Sequence, residues 1–190
     1  GEENVGIIYR NLKRAAELIS SFKKVAVDQS SEDIRQFNMD ELINEVLLTL
    51  APQIRKTPYT VSVNCPSNLL IWSKPGPINQ ILINLILNAI LHAFEGKEDG
   101  TIVIDVLPAE NELNLNFSDN GNGIEESIKS KIFDPFTTTK RGSGGSGLGL
   151  HLVYNLVTQA LGGNITIESE KGEGTQFLIV FPLNSNDRYQ

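Results

Sequence analysis

The chain reads as an α+β protein: a two-layer α/β sandwich, with a mixed β-sheet carrying helices on one face, preceded by one long helix. Three observations carry that expectation. Segments that alternate apolar and polar residues, as half-buried strands do, are interspersed with longer runs of helical period. Most of the strand-like segments follow one another across short turns, which favours a mixed sheet over a doubly wound parallel one. The 190 residues, 40% hydrophobic and 21% charged, have room for one core and an appended element.

Residues 2–27 form the first helical pattern, with Val5, Ile8, Leu12, Ala15, Ile19 and Phe22 spaced alternately three and four apart. That spacing suits a short heptad seam, and equally one helix packed on its own domain. The polar run DQSSED over 28–33 breaks the pattern and places a boundary there. The expected organisation is therefore 1–33 as helix and linker, 34–184 as one compact domain, and 185–190 as a polar tail.

Within that domain DIRQFN suits an edge strand and MDELINEVLLTLAPQI a helix with Leu42, Val46, Leu47 and Leu50 on one side. YTVSVNC and NLLIWS alternate like paired strands around Pro66-Ser67-Asn68. Pro75 and Pro77 fit the first turn of a helix that runs to about Phe94 and stops before Gly96. TIVIDVLP and ELNLNFSD follow as a hairpin across Ala109-Glu110-Asn111. A helix from Leu148 to Leu161 ends at Gly162-Gly163, and the strands NITIESE and TQFLIVFP complete the chain.

A net charge of −7 argues against a general nucleic-acid surface. No apolar run approaches the roughly 20 residues that span a bilayer, and no signal peptide opens the chain, so no membrane contact is expected of this segment. The single cysteine, Cys65, excludes an internal disulfide and fits a small apolar filler in a strand of a cytoplasmic protein.

Four stretches carry chemistry. Five of the sixteen glycines fall between Gly142 and Gly149, in a run that passes straight into a helix. Such a loop frees backbone amides for an anion at the helix N-terminus, although flexible linkers share its composition. The helix over 77–94 is apolar almost all round, yet Gln80, Asn84, Asn88 and His92 recur every four residues, a stripe about 18 Å long at roughly 1.5 Å per residue. Amides without charges make an odd solvent face, whereas the neutral oxygen of Asn suits Mg²⁺ or a phosphate-bound water. His92 reads equally as a structural residue near the helix end. In SDNGNGI a carboxylate at a strand end can accept from a base's exocyclic amine while the glycines leave room for the ring; the same sequence also makes a plain Asx turn. IFDPFTTTKRGSGG is a long connection of little periodicity, in which Phe133 and Phe136 can anchor the base of a lid while Thr137 to Arg141 supply hydroxyls and two cations.

The ordered set NLILNAILHAF, DNGNGI, IFDPFTTTK, GGSGLGL and GEGTQF resembles the N, G1, F, G2 and G3 boxes of the sensor histidine kinase ATP-binding domain, in the superfamily shared with gyrase, Hsp90 and MutL. RNLKRAAELISSFKKVAVDQSSE resembles the second helix of the kinase dimerisation hairpin with its linker. The resemblance implies the Bergerat ATP-binding fold, with ATP and Mg²⁺ as ligands. It implies Asn88 as the Mg²⁺ ligand and Asn84 as its partner at phosphate or metal-bound water. Asp119 would accept from the adenine amine, Gly121 and Gly123 would shape the base pocket, and Thr175 would reach adenine through water. Gly145, Gly147, Leu148 and Gly149 would form the phosphate-side turn, with Lys140 or Arg141 at the outer phosphate and His92, Ile124, Phe136 and Thr138 also at the nucleotide.

Two departures stand out. Leu91 occupies the place, three residues after Asn88, where many members carry Lys. His92 and His151, the only histidines, both lie inside the ATP-site motifs, so the phosphoacceptor histidine is expected on a helix this chain lacks. The expected function is transfer of the γ-phosphoryl of ATP to that histidine and thence to an aspartate of a response regulator receiver domain. The intact protein would be a homodimer through its helix hairpin, and a membrane-anchored receptor. The rivals are an anti-sigma-type serine kinase, whose NAxxH pattern His92 matches, and a non-catalytic ATP-binding scaffold. A gyrase- or Hsp90-type ATPase would carry Glu where Asn84 stands.

Overall fold

A computed structural model describes residues 5–10, 13, 33–137 and 148–185. Residues 5–10 are helical and largely exposed; the rest of the helix expected over 2–27 lies outside the described residues. The domain then runs β1 (Arg35–Asn38), α1 (Met39–Arg55), β2 (Tyr59–Asn64), β3 (Leu70–Ser73), α2 (Pro75–Asn88), β4 (Gly100–Ala109), β5 (Glu112–Asp119), α3 (Glu126–Lys129), α4 (Leu148–Asn155), β6 (Asn164–Glu170) and β7 (Gly174–Pro182). Five strands form one sheet in the order β2-β4-β5-β7-β6, with β2 parallel to β4 and the other pairs antiparallel. The mixed sheet expected from the sequence is thus present.

Strand alternation decides which face is buried. Ile102, Ile104 and Val106 of β4, Leu113, Leu115 and Phe117 of β5, and Phe177, Ile179 and Phe181 of β7 all point into the core. Against them pack Ile78, Ile81, Leu82, Leu85 and Ile86 of α2, with Val153, Leu156 and Val157 from α4 and its continuation. Each such side chain contributes roughly 1.5–3 kcal/mol by leaving water. Helix α1 starts cleanly because Asn38 accepts the Glu41 amide at 2.9 Å, with Asp40 and Glu41 at the positive end of the helix dipole.

The hairpin expected around Pro66 is not formed. β2 pairs with β4, while β3 leaves the main sheet and pairs antiparallel with β1. The intervening turn serves that second sheet: Asn38 Nδ2 donates to the Ser67 carbonyl at 3.0 Å and the Met39 amide to Leu69 at 2.9 Å. Cys65 lies one residue past β2 rather than in it, half-buried, with its thiol pushed up to about 11 by burial and then by the charge of Asp40.

Two helices also end differently from expectation. α2 passes at Ala89–Ala93 into a single π turn, and α4 does so at Leu156–Ala160. By length and composition Pro75–Ala93 could cross a membrane, contrary to the sequence expectation, but half of its residues are buried inside the fold. It is the helix on which the domain core is assembled.

Candidate nucleotide-binding site

The candidate site is built where β5, β7 and β6 end together. Asp119 of β5 lies opposite Thr175 of β7, which lies opposite Ser169 of β6, so the three side chains form one row on the helix face of the sheet. The row continues the apolar one formed by Phe117, Phe177 and Ile167. Thr175 and Ser169 are buried.

Burial pushes the Asp119 carboxyl above its ordinary value, opposed by the amides of Gly121 and Thr175 and by the charge of Lys97. The Gly121 amide donates to Asp119 Oδ1 at 2.9 Å. Lys97 is held nearby, its ammonium donating to the Asn120 carbonyl at 3.0 Å.

The turn after Asp119 is wedged between two other elements. The Asn122 amide donates to Ala93 O at 2.7 Å and Asn122 Nδ2 to Glu95 O at 2.6 Å, tying the turn to the π end of α2. A π turn leaves carbonyls off the regular helical ladder, and here one of them holds the turn. A Cβ at Gly121 would run into that Ala93 carbonyl, and one at Gly123 into the carbonyl of Glu170. Gly123 is also left-handed, with φ +71°. Both glycines are therefore required by close backbone approach, and the Gly121–Asp119 bond is the Asx turn that the sequence also allowed.

Ile124 continues from the turn, its amide donating to Ser169 Oγ at 2.8 Å. An open cleft of about 550 Å³ lies over this end of the sheet, with Asp119, Lys129, Ser169, Gly174 and Thr175 in its lining. The structure thus brings together Asp119, Gly121, Gly123, Ile124 and Thr175.

The amide stripe stands apart from that lining. Gln80 and Asn84 are both buried, and Gln80 Nε2 donates to Asn84 Oδ1 at 2.9 Å. Asn84 Nδ2 is buried with no hydrogen-bond partner among the described residues. Asn88 is half-buried at the last turn of α2, and His92 falls inside the π turn. Among the described residues no cluster of three or more His, Cys, Asp or Glu side chains could hold a metal ion. The donors suited to a hard cation here are neutral amide oxygens.

The segment after α3 meets expectation in one aromatic and not in the other. Phe133 packs on Tyr154 and Phe177, with ring centroids 5.5 and 6.2 Å apart. Phe136, expected to anchor beside it, is instead 72% exposed, in a left-handed conformation at φ +64°. His151 is fully engaged: Nδ1–H donates to the Phe133 carbonyl at 3.0 Å, and Nε2 accepts from Asn155 at 3.2 Å. Leu148 and Gly149 open α4. Thr138, Lys140, Arg141, Gly145 and Gly147 lie outside the described residues.

Ser169, Lys97 and Lys129 were missed in the sequence. Lys129 Nζ donates to the Ser169 carbonyl at 3.2 Å and pairs with Glu126 at 2.7 Å. A hydrophobic-to-polar step at the end of β6 was the one signal pointing to Ser169.

Residues 73–185 match the family model described as histidine kinase-, DNA gyrase B-, and HSP90-like ATPase. The chain is 36% identical over 138 residues to the autoinducer 2 sensor kinase/phosphatase LuxQ of Vibrio parahaemolyticus, covering 64% of this chain and 15% of that protein. It is 29% identical over 182 residues to sporulation kinase A of Bacillus subtilis, covering 95% of this chain and 29% of that one. The chain thus spans well under a third of the curated relatives it matches. Among solved structures it is similar to the nucleotide-free catalytic domain of histidine kinase ThkA, with a TM-score of 0.68 and 32% identity over 79% of this chain and 95% of that one. ThkA in complex with the response regulator protein TrrA matches with a TM-score of 0.69 and 26% identity, covering 91% of this chain and 49% of that one.

Proposed function

Because the chain belongs to the histidine kinase-, DNA gyrase B-, and HSP90-like ATPase family, we propose that it is the ATP-binding catalytic domain of a two-component sensor histidine kinase. The observation that carries this is the base end of the site. A half-buried carboxylate, Asp119, stands in one row with Thr175, beside a turn whose two glycines are wedged against α2 and the β6–β7 hairpin. A carboxylate so placed accepts from the exocyclic amine of adenine, and Gly121 and Gly123 keep the approach clear for the flat ring.

The phosphates then extend toward the amide stripe. Asn88 would hold Mg²⁺ through its carbonyl oxygen. Asn84, whose Oδ1 is committed to Gln80, offers its unpartnered Nδ2 to a phosphate oxygen or metal-bound water. That orphaned buried donor fits an anionic ligand. Mg²⁺ supplies neutralisation of the charge that develops on the transferred phosphoryl group. Lys140 and Arg141 would serve the outer phosphate, and Gly145, Gly147, Leu148 and Gly149 the phosphate side of the nucleotide. His92, Phe136 and Thr138 complete the nucleotide contacts.

The phosphoryl acceptor is a histidine other than His92 and His151. His151 has both ring nitrogens engaged, and His92 lies in the helix wall. In-line attack needs a nucleophile free to approach the γ-phosphorus. Residues 1–33 then belong to the dimerisation hairpin of a homodimer, 34–184 form the catalytic domain, and the phosphoryl group passes on to a response regulator aspartate. The parent is a membrane-anchored receptor with this part in the cytoplasm.

Calorimetry with ATP, in the presence of Mg²⁺ and of EDTA, tests the binding. Incubation with γ-labelled ATP should leave this chain unlabelled, while a fusion carrying a phosphoacceptor helix is labelled with acid-labile phosphate. Absence of ATP binding, or stoichiometric phosphohistidine on this chain alone, sinks the reading.

A further inference from the structure

The hydroxyl of Ser169 has one proton and two lone pairs, and the structure accounts for all three. Its proton goes to the Gly174 carbonyl at 2.8 Å, since a carbonyl only accepts. One lone pair takes the Ile124 amide at 2.8 Å. The remaining lone pair faces Thr175 Oγ1 at 3.0 Å, so Thr175 must be the donor in that contact. The proton of Thr175 is thereby committed inward, and only lone pairs are left to face the cleft.

This arrangement is held from several sides. Gly174 takes φ +97°, a left-handed conformation that sets the carbonyl within reach of Ser169. Lys129 holds the Ser169 main chain through its carbonyl at 3.2 Å. The cross-strand register places Ser169 directly opposite Thr175.

We propose that Ser169 is a specificity-determining positioning residue: by fixing the proton of Thr175 inward, it makes Thr175 an obligate acceptor beside the Asp119 carboxylate. The row therefore selects a purine whose edge carries a 6-amino group and rejects one with a 6-carbonyl. A hydroxyl free to rotate could accept from the amine or donate to the carbonyl and would discriminate less. A site whose buried polar groups are left facing like groups rejects the wrong ligand strongly.

The inference rests on the ATP-binding reading, and the test separates the two. The probes are ATP and ITP, bound competitively to this chain with Mg²⁺. Thr175→Val, which removes the lone pairs at nearly constant volume, should cut the ATP-over-ITP preference by about three- to tenfold, chiefly through weaker ATP binding. Thr175→Ser should keep the preference. Ser169→Ala frees the Thr175 proton and should lower the preference similarly. In the Thr175→Val background it should change the preference no further.

A preference that rises in Thr175→Val identifies the hydroxyl as a donor and overturns the inference. So does an undiminished effect of Ser169→Ala when Thr175 is already Val. If Ser169→Ala does not fold, the Val and Ser variants at Thr175 still decide whether the hydroxyl accepts. Should the unsubstituted chain bind no ATP, the functional reading fails and this inference with it. ATP binding that collapses in Asp119→Asn, with Thr175→Val leaving the preference unchanged, overturns this inference alone.

Discussion

At the sheet end of the site every hydroxyl proton is committed within the protein: the Ser169 hydroxyl uses its proton and both lone pairs and Thr175 donates to it, so that acceptors alone, the Asp119 carboxyl among them, are left for a ligand. On α2 the polar stripe is left unfinished. Gln80 satisfies the oxygen of Asn84, but Asn84 Nδ2 is buried with no partner among the described residues. A satisfied network fixes the polarity it shows to a ligand, so it acts on selectivity. An unsatisfied buried donor costs roughly 1–3 kcal/mol, which a ligand group can relieve, so it links stability to binding. On the proposed function, one end of the site would choose the ligand and the other would be stabilised by it.

The largest expected effect comes from disturbing the finished end. Gly123→Ala adds a Cβ against the Glu170 carbonyl at a residue already at φ +71°. Left-handed strain of about 1–2 kcal/mol adds to overpacking of about 1–3, so denaturant unfolding should show a loss of roughly 2–5 kcal/mol. Gly149→Ala is the control. Its Cβ would meet nothing within 4 Å among the described residues, and in the helix it should be neutral or stabilising by up to about 1 kcal/mol. Equal effects at the two glycines would mean that the turn is not wedged.

Next in size is the cation contact proposed for the stripe. Asn88→Ala should weaken Mg-ATP binding roughly ten- to 150-fold, from the 1.5–3 kcal/mol typical of a bond to a charged group. Binding of ATP in EDTA should change little. Equal losses with and without Mg²⁺ in calorimetry would place the cation elsewhere.

The Asp119 carboxyl gives a smaller effect, with opposite signs for stability and binding. Its folded pKa is raised above 3.8, first by burial. Its contribution to the stability of the ligand-free fold is therefore fully present below that value and lost as pH rises through the folded pKa. The adenine contact proposed for Asp119 needs the ionised form, so ATP affinity should fall as pH is lowered through the same value. Unfolding and binding measured from pH 4 to 7 should diverge in this way, and Asp119→Asn should flatten both profiles. Parallel profiles would remove Asp119 from the base contact.

How far these features could be read in advance depends on whether they are local in the chain. The four-residue repeat of Gln80, Asn84, Asn88 and His92 and the DNGNG turn are local, and both are where the sequence placed them. Alternation in YTVSVNC and NLLIWS revealed faces but not partners. Period two says nothing of which strand lies alongside, and β2 and β3 joined different sheets. The π turns were invisible because one extra residue in a helix apolar on nearly all sides leaves no break in pattern. Ser169 needed the β6–β7 register: its role lies in standing opposite Thr175, six residues on, across a turn whose geometry Gly172 and Gly174 set. Phe136 does not join Phe133 as an anchor, and sequence alone does not show this, because an aromatic three residues on looks equally apolar whether or not the backbone turns it outward.

The smallest effect tests whether the stripe is unfinished for the sake of a ligand. Gln80→Leu alone leaves Asn84 with neither amide group satisfied and should destabilise the ligand-free chain by about 1–3 kcal/mol. Replacing both residues, Gln80→Leu with Asn84→Leu, removes the pair and the orphaned donor together inside a helix already packed among leucines and isoleucines. Exchanging both buried partners for apolar groups of similar size is close to neutral or favourable, so the double variant should unfold at the parent's temperature or above it. Its melting temperature should then respond less to Mg-ATP than the parent's, because the donor that the ligand satisfies is gone. The corresponding change at the finished end, Ser169→Ala, orphans the Ile124 amide and the Gly174 carbonyl and should lower the ligand-free melting temperature. A double variant that melts well below the parent would show that Gln80 and Asn84 hold the helix in place, and the contrast between the two ends would disappear.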